Sequence, residues 1–376
     1  MIEKLKENIG KISEPRRTEK GNLRHKLEDI LIIGLCTVIS NGEDYEDMEI
    51  FGQRREDWLR EVLKLELPNG IPASITFERV YEALNPQEVS KYLNECIEVK
   101  RVEREVVPVD GKTLKGSKNG EKSALHVVNV WASETGITLA QIAVDEKANE
   151  ITAVPEVLDM VEISGDIVTA DALNCQKEIT QKITSKGADY VLGLKGNHPL
   201  LHAAVEEYFM YNPQSALCAN KYNVEVGHGR LEEREYWLET DINFLNDVPE
   251  IEMWSNLNAV GMVKTVVEKD GTASFEARYF LASLTSVDEF AHAVRQHWSI
   301  ENQLHWRLDV IFREDDSRVR KGNAPLNMHI LRTKSLALLK NANLSKLFSM
   351  KKRMFNAALD TDILEIILLD SNHVKS

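Results

Sequence analysis

The chain has 376 residues, 43% hydrophobic and 28% charged, with a net charge of −14; it is too long for one ordinary core, so two or three domains are expected. Its longest apolar run, Ile30 to Ile39, is too short to span a bilayer, and the opening MIEKLKENIGKISEPRR has no apolar core of a secretory signal. Cys36, Cys96, Cys175 and Cys218 form no CxxC pair, so the reading is a cytoplasmic protein with reduced thiols, not a zinc or disulfide frame.

Residues 1–100 read as helical. HKLEDILIIGLCTVISN is apolar on most sides, as a buried helix is. A helix is expected over TFERVYEAL, and another begins at Asn85-Pro86, with Asn as N-cap and Pro in the first turn. The region is either a helix-turn-helix reader of DNA or a bundle packed on the rest; the spacing does not decide. The acidic balance does not exclude nucleic acid, because phosphate contacts depend on where Lys and Arg lie. Basic residues cluster at Arg16, Arg17, Lys20, Arg24 and Lys26 and again at Arg318, Arg320 and Lys321. On charge alone, the favoured reading is a solvated surface on an acidic cytosolic enzyme.

From residue 105 the pattern changes. EVVPVD, ALHVVNVWA and ITLAQIAV read as three strands separated by GKTLKGSKNGEK and SETG. A helix follows near AVPEVLDMV, then the buried strand DIVTAD, the amphipathic helix NCQKEITQKITSK and the strand ADYVLGLKGN. Three consecutive strands followed by alternating helix and strand is the order of an RNase H-like fold, α/β with a mixed five-stranded sheet flanked by helices. Its first and fourth strands lie side by side at the centre. Between 221 and 284, YNVEVGH, REYWLETD, AVGMVKTVVE and FEARYFLASL alternate apolar and polar residues, giving a β-rich insertion expected to project from the sheet near its active end. A long helix then starts near Ser286, which has capping-box spacing to Glu289; Phe290, Val294, Ile300, Leu304, Leu308 and Ile311 form its apolar stripe. The expected organisation is a helical region at 1–100, a catalytic core at 101–220, the insertion at 221–284 and the end of the core at 285–376.

Asp110 follows VVPV and Asp171 follows IVTA. An acid at the end of a buried strand is costly unless a partner holds it. Taken singly, each is more commonly a turn residue or helix cap. On strands one and four of this order the pair converges, and converging carboxylates suit hard Mg²⁺ or Mn²⁺. The third acid is expected in HWSIENQLHWRLDVIFREDDSRVRKGNAP. Glu301 lies there between Trp298 and Trp306 and beside Ile300 and Leu304, which reads as a buried edge of the helix. Asp309, two turns on, is roughly 12 Å away along a straight helix, too far to serve the same ion. His297 and His305, four residues either side of Glu301, make an alternative H-x-x-x-E-x-x-x-H array for zinc or iron, which leaves Asp110 and Asp171 without a role.

The blocks HKLEDILIIGLCTVIS, VDGKTLKGS, DEKANEITAVPEVLDM, TADALNCQKEI, LKGN, HGR and HWSIENQLHWRLDVIFREDDSRVRKGNAP run through nearly the whole chain. In them the sequence resembles the H-repeat-associated transposase family of bacterial insertion sequences, within the RNase H-like DDE transposases. The resemblance implies a helical N-terminal associated region, Mg²⁺ (with Mn²⁺ able to substitute), and DNA as substrate: terminal inverted repeats and a target. Carried over position by position, it implies Asp110, Asp171 and Glu301 as catalytic and metal-binding acids, and a dimer or larger assembly to cut two ends together. Many related transposases carry Tyr-x-x-Arg-x-x-x-Glu ending on the third acid. Here the Tyr place is Val294, the Arg place is His297, and the later basic residue, Arg307, falls one position early.

The DNA-contact candidates are Lys112 and Lys115 after the first Asp, Lys195 and Asn197 after the fifth strand, His228 and Arg230 at the turn GHGR, and Arg307 and Lys321 in the final block. Gly227 and Gly229 permit close backbone approach at that turn. A solvated surface explains each of these residues taken singly. Trp237 and Trp254 read as core residues, with base stacking as the alternative. Two other functions fit the same acids: a nuclease of this fold that forms no joined product, and a non-catalytic DNA-binding relic of an insertion sequence.

Overall fold

The computed structural model describes residues 2–17, 23–97, 101–120, 123–144, 150–211, 218–227, 230–269, 272–345 and 348–369. His228 lies outside them.

The fold is mixed α/β, built on one sheet. Its first half comes from β1 (Val106–Leu114), β2 (Leu125–Ala132), β3 (Ile137–Val144), β4 (Ile167–Ala170) and β5 (Asp189–Leu194). β1, β2 and β3 form an antiparallel meander, while β1 pairs with β4, and β4 with β5, in parallel. The central strands are covered on both faces, which explains their continuous apolar runs. The helices α6 (Glu150–Asp159) and α7 (Lys177–Ser185) connect β3 to β4 and β4 to β5.

The sheet does not stop at five strands. β6 (Cys218–Gly227), β7 (Arg230–Glu239), β8 (Ala259–Lys269) and β9 (Thr272–Ala282) continue it, giving nine strands in the order β3-β2-β1-β4-β5-β9-β8-β7-β6. The segment is β-rich as its alternation implied, but it continues the sheet edge instead of projecting as a separate unit. The joint is the antiparallel pairing of Val191–Leu194 with Tyr279–Ala282. Backbone donors on the outer edge of β5 need partners, and β9 supplies them. Because β5 ends at Leu194 opposite Tyr279, the rest of β9 runs beyond the carboxyl ends of the parallel strands. The ribbon therefore overhangs the end of the sheet where Asp171 lies.

The N-terminal helices α1 (Ile2–Ile9), α2 (Leu27–Ile39), α3 (Tyr45–Glu61), α4 (Ser74–Ala83) and α5 (Pro86–Cys96) share one hydrophobic cluster with α11 (Ala324–Asn341), α12 (Met350–Leu359) and α13 (Thr361–Leu369). α2 buries twelve of its thirteen residues, so this helix has no face left to lie in a DNA groove. Asn85 caps α5 as its sequence indicated, its side chain accepting from the N–H groups of Gln87 and Glu88. The region is a bundle packed on the C-terminal helices.

Candidate active site

Val109 of β1 and Ala170 of β4 are parallel register partners. The next residue on each strand is therefore Asp110 and Asp171, and the two acids leave neighbouring strands at the same level. Asp110 still belongs to β1, which runs on to Leu114, whereas Asp171 opens the turn after β4. The third element begins with α9 (Val287–His297), where the Ser286 side chain accepts from Glu289 N–H. It does not continue as one straight α-helix. Residues Ile300–His305 form a π-helical stretch before α10 (Trp306–Val310), and Glu301 sits in its first turn. A π-bulge widens the helix locally and re-aims its side chains, which is why such bulges recur at functional sites. Glu301 is exposed, as is Trp306, and Trp298 is 36% exposed. The expected buried edge between two tryptophans is thus not what forms; Trp298 instead lies under the Arg278 guanidinium, 4.9 Å from its ring centre.

Asp110, Asp171 and Glu301 line one open cavity of about 330 Å³, together with Thr169, Lys195, His202, Arg278, His297 and Trp298. Burial, followed by the nearby charges of Glu150, Asp171 and Glu301, pushes the Asp110 carboxyl up to about 7, against a stabilising backbone N–H bond from Gly111. His305 Nδ1 lies 3.6 Å from Asp110 Oδ2. Burial, then Lys112 and His329, pushes that ring down to about 3, so it is neutral. His297 is likewise held neutral by burial and Arg278, pushed down to about 4, with Nδ1 3.0 Å from Thr169 Oγ1. The H-x-x-x-E-x-x-x-H array is not assembled: His297 turns to Thr169 and His305 to Asp110. Among the described residues, no three His, Cys, Asp or Glu side chains form a closed group able to hold an ion. The three acids nevertheless offer an all-oxygen donor set around one cavity, and their mutual repulsion is the kind that a hard divalent cation relieves.

A family model described as "Transposase DDE domain" matches residues 101–338, and a second, "DDE_Tnp_1-associated", matches residues 6–96. The chain belongs to the DDE transposase family. It is 35% identical to "H repeat-associated putative transposase YhhI" of Escherichia coli (strain K12), over 98% of this chain and 99% of that protein. It is also 35% identical to "Putative transposase YncI" of Escherichia coli O157:H7, over 98% of this chain and 95% of that one. A solved piggyBac transposase synaptic complex with hairpin DNA covers 100% of this chain and 80% of its own, at 11% identity and a TM-score of 0.39. The protein is therefore a DNA transposase, and its DDE domain implies dependence on divalent metal in general. Among the described residues, no helix is long and apolar enough to cross a membrane.

The DNA-contact candidates of this transposase divide by exposure. Lys112 is buried, its ammonium 2.5 Å from Asp309 Oδ1 and 3.9 Å from both Glu314 and Asp315. A strand residue of this parity faces the core, so the expectation that Lys112 meets phosphate is withdrawn. Lys115 is exposed but pairs with Asp315, and Lys321 pairs with Glu78. Lys195 is exposed on the cavity wall. Asn197 donates from Nδ2 to the Ala172 carbonyl at 2.7 Å, tying the loop after β5 to the turn that carries Asp171. Arg307 is half-buried, and burial together with Arg353 pushes its guanidinium down. Arg230 opens β7. Trp254 is buried with His198 packed edge-on against it, and Trp237 packs against the core, so both follow the packing reading.

Sequence reasoning missed Glu150, His126, Asn174 and Gly111. Glu150 stood inside the quoted block DEKANEITAVPEVLDM with no role, outside the helix expected near AVPEVLDMV, whereas α6 begins at Glu150 itself. The available signal was Gly111, a glycine directly behind the first acid. A Cβ at Gly111 meets His126 Nε2 at 2.2 Å and Glu150 Oε2 at 2.5 Å, so a larger residue there displaces the His126–Glu150 pair.

Proposed function

We propose that this transposase cuts a phosphodiester at the ends of an insertion sequence and joins the freed 3′-hydroxyl to target DNA, with Asp110, Asp171 and Glu301 as its catalytic acids. One observation carries the reading: three carboxylates from elements far apart in the chain line a single open cavity, where burial and the charges of Glu150, Asp171 and Glu301 raise the Asp110 carboxyl. We read β1–β5 and their helices as an RNase H-like core, supported by the order β3-β2-β1-β4-β5 and by β1 beside β4. Residues 1–100 are read as the associated region, 101–220 and 285–376 as the two parts of the core, and 221–284 as the segment inserted between them.

Asp110 in β1 and Asp171 just past β4 bring two carboxylates from neighbouring strands, and Glu301 brings the third from the π-helical turn. Mg²⁺, with Mn²⁺ as substitute, suits this set; held by these carboxylates it would lower the pKa of the attacking water and stabilise the leaving oxygen. The neutral His305 beside Asp110 is not needed as a base. Lys195 at the cavity wall and Arg278 over Trp298 stand where a strand end enters, and Lys115, Asn197, Arg230, Arg307 and Lys321 remain candidates along the flanks; His228, outside the described residues, remains a candidate from the sequence. Lys112 serves the fold instead. Two ends cut in concert call for a dimer or larger synaptic complex.

The test is incubation of purified protein and Mg²⁺ with a labelled fragment bearing the flanking inverted repeats. Nicked and joined products are expected. Nicks without joined product favour a nuclease, and binding without nicks favours a DNA-binding relic.

A further inference from the structure

Glu150 opens α6 at 2% exposure, and a buried carboxylate is costly unless it is held. It is held on both oxygens. Oε1 accepts from Asn174 Nδ2 at 2.6 Å, and Oε2 lies 3.0 Å from His126 Nε2. His126 is fixed in turn by Thr113 Oγ1, 3.0 Å from its Nδ1. These partners reach both strands that carry the candidate aspartates. On one side Asn174 grips Asp171, its backbone N–H and its Nδ2 both donating to Asp171 Oδ1, at 3.2 and 3.3 Å. On the other side the backbone of Gly111, the residue after Asp110, lies directly against His126 and Glu150.

We propose that Glu150 is a positioning residue for the divalent-ion site, acting through Asn174 and His126 to fix Asp171 relative to Asp110. The proposal rests on the reading that Asp110 and Asp171 hold the ions. An anchor for α6 alone would not need a charge, because Ala153, Val154, Val157 and Leu158 already bury that helix against the sheet. What the carboxylate adds is direction: a doubly held acceptor that fixes the orientation of the Asn174 amide, and through it one Asp171 oxygen. Partners of this kind orient metal ligands, and their removal typically weakens metal affinity by about 10- to 100-fold.

The experiment measures Mn²⁺ binding to the full chain by calorimetry, beside turnover on a fragment bearing the inverted repeats. Asp171→Asn abolishes the site and serves as its reference. Glu150→Ala and Asn174→Ala each weaken Mn²⁺ binding by about tenfold or more. Both lower kcat while KM for the fragment stays near wild type. Glu150→Gln keeps an acceptor for Asn174 and recovers part of the affinity. Val157→Ala lowers the melting temperature but leaves Mn²⁺ affinity unchanged, which separates positioning from helix anchoring. Should Glu150→Ala fail to fold, Glu150→Gln and Asn174→Ala carry the measurement. Wild-type affinity in Asn174→Ala and in a folded Glu150 variant overturns the proposal while leaving the three-acid reading intact. Mn²⁺ binding indifferent to Asp171→Asn overturns the three-acid reading, and this inference with it.

Discussion

Replacing Asp110 by asparagine makes the side chain permanently neutral at a point where burial and neighbouring acids oppose a charge. The folded protein holds the Asp110 proton up to about pH 7, against an unperturbed value of 3.8. Between these values the folded state keeps a proton that the unfolded state releases. The stability of the metal-free protein therefore falls as pH rises through this window and levels off above pH 7. The gap between the two values corresponds to ~4 kcal/mol at most. The amide of Asp110→Asn has no such proton to lose, so the variant escapes that fall. In EDTA, urea midpoints for Asp110→Asn and wild type should lie close together near pH 4. By pH 8 the variant should be more stable, by on the order of 2–4 kcal/mol. Mn²⁺ should restabilise wild type at pH 8 and leave the variant unmoved, while the variant cuts no DNA. A stability difference that does not change between pH 4 and pH 8, or a wild type more stable than the variant at pH 8, would refute the account of buried, crowded carboxylates.

Glu301→Gln should abolish cleavage in Mg²⁺ with folding and DNA binding retained, as read by a nicking assay and circular dichroism. Asp309→Asn should instead lower the melting temperature, because Asp309 neutralises the buried Lys112 and does not line the cavity; loss of cleavage in folded Asp309→Asn with activity surviving in Glu301→Gln would reverse the assignment. Lys195→Ala should weaken binding to all DNA sequences alike and reduce the slope of log affinity against log salt by about 1. Burial pushes Lys334 down to about 7, with its ammonium on the Thr138 carbonyl at 2.8 Å and on Asn94. The unfolded chain binds the extra proton between pH 7 and about 10, so Lys334 makes stability rise with pH across that range. Lys334→Met should flatten the rise and raise the urea midpoint at pH 7; an unchanged pH profile would remove Lys334 from the account.

Much of the local order was legible because it is written in neighbouring residues. The apolar runs VVPV and IVTA read as buried strands, Asn85-Pro86 as a helix start, and Ser286 with Glu289 as a cap, and all three form. The buried helix at Leu27–Ile39 showed itself by being apolar all round. Alternation along residues 221–284 gave the four later strands, but alternation is blind to pairing. Whether β9 pairs with β5 depends on which edge carries unmet backbone hydrogen bonds, and that is a property of the assembled sheet.

The candidates for the chemistry could be picked out along the chain: an acid after each of two buried strands, and a glutamate in the final helical block. How those acids feel one another came only with the assembled fold. In the π-helical stretch Ile300–His305, Glu301 is exposed and lines the cavity, although Trp298, Ile300, Leu304 and Trp306 around it in sequence put it at a buried edge. Lys112 lies in β1 and Lys195 directly follows β5, yet one is sealed against Asp309 and the other faces the opening. Glu150 and Asn174 lie 24 residues apart and meet only because α6 and the turn after β4 converge behind β1. Burial and charge proximity fall off over a few ångströms in space, and separation along the chain carries no measure of that distance.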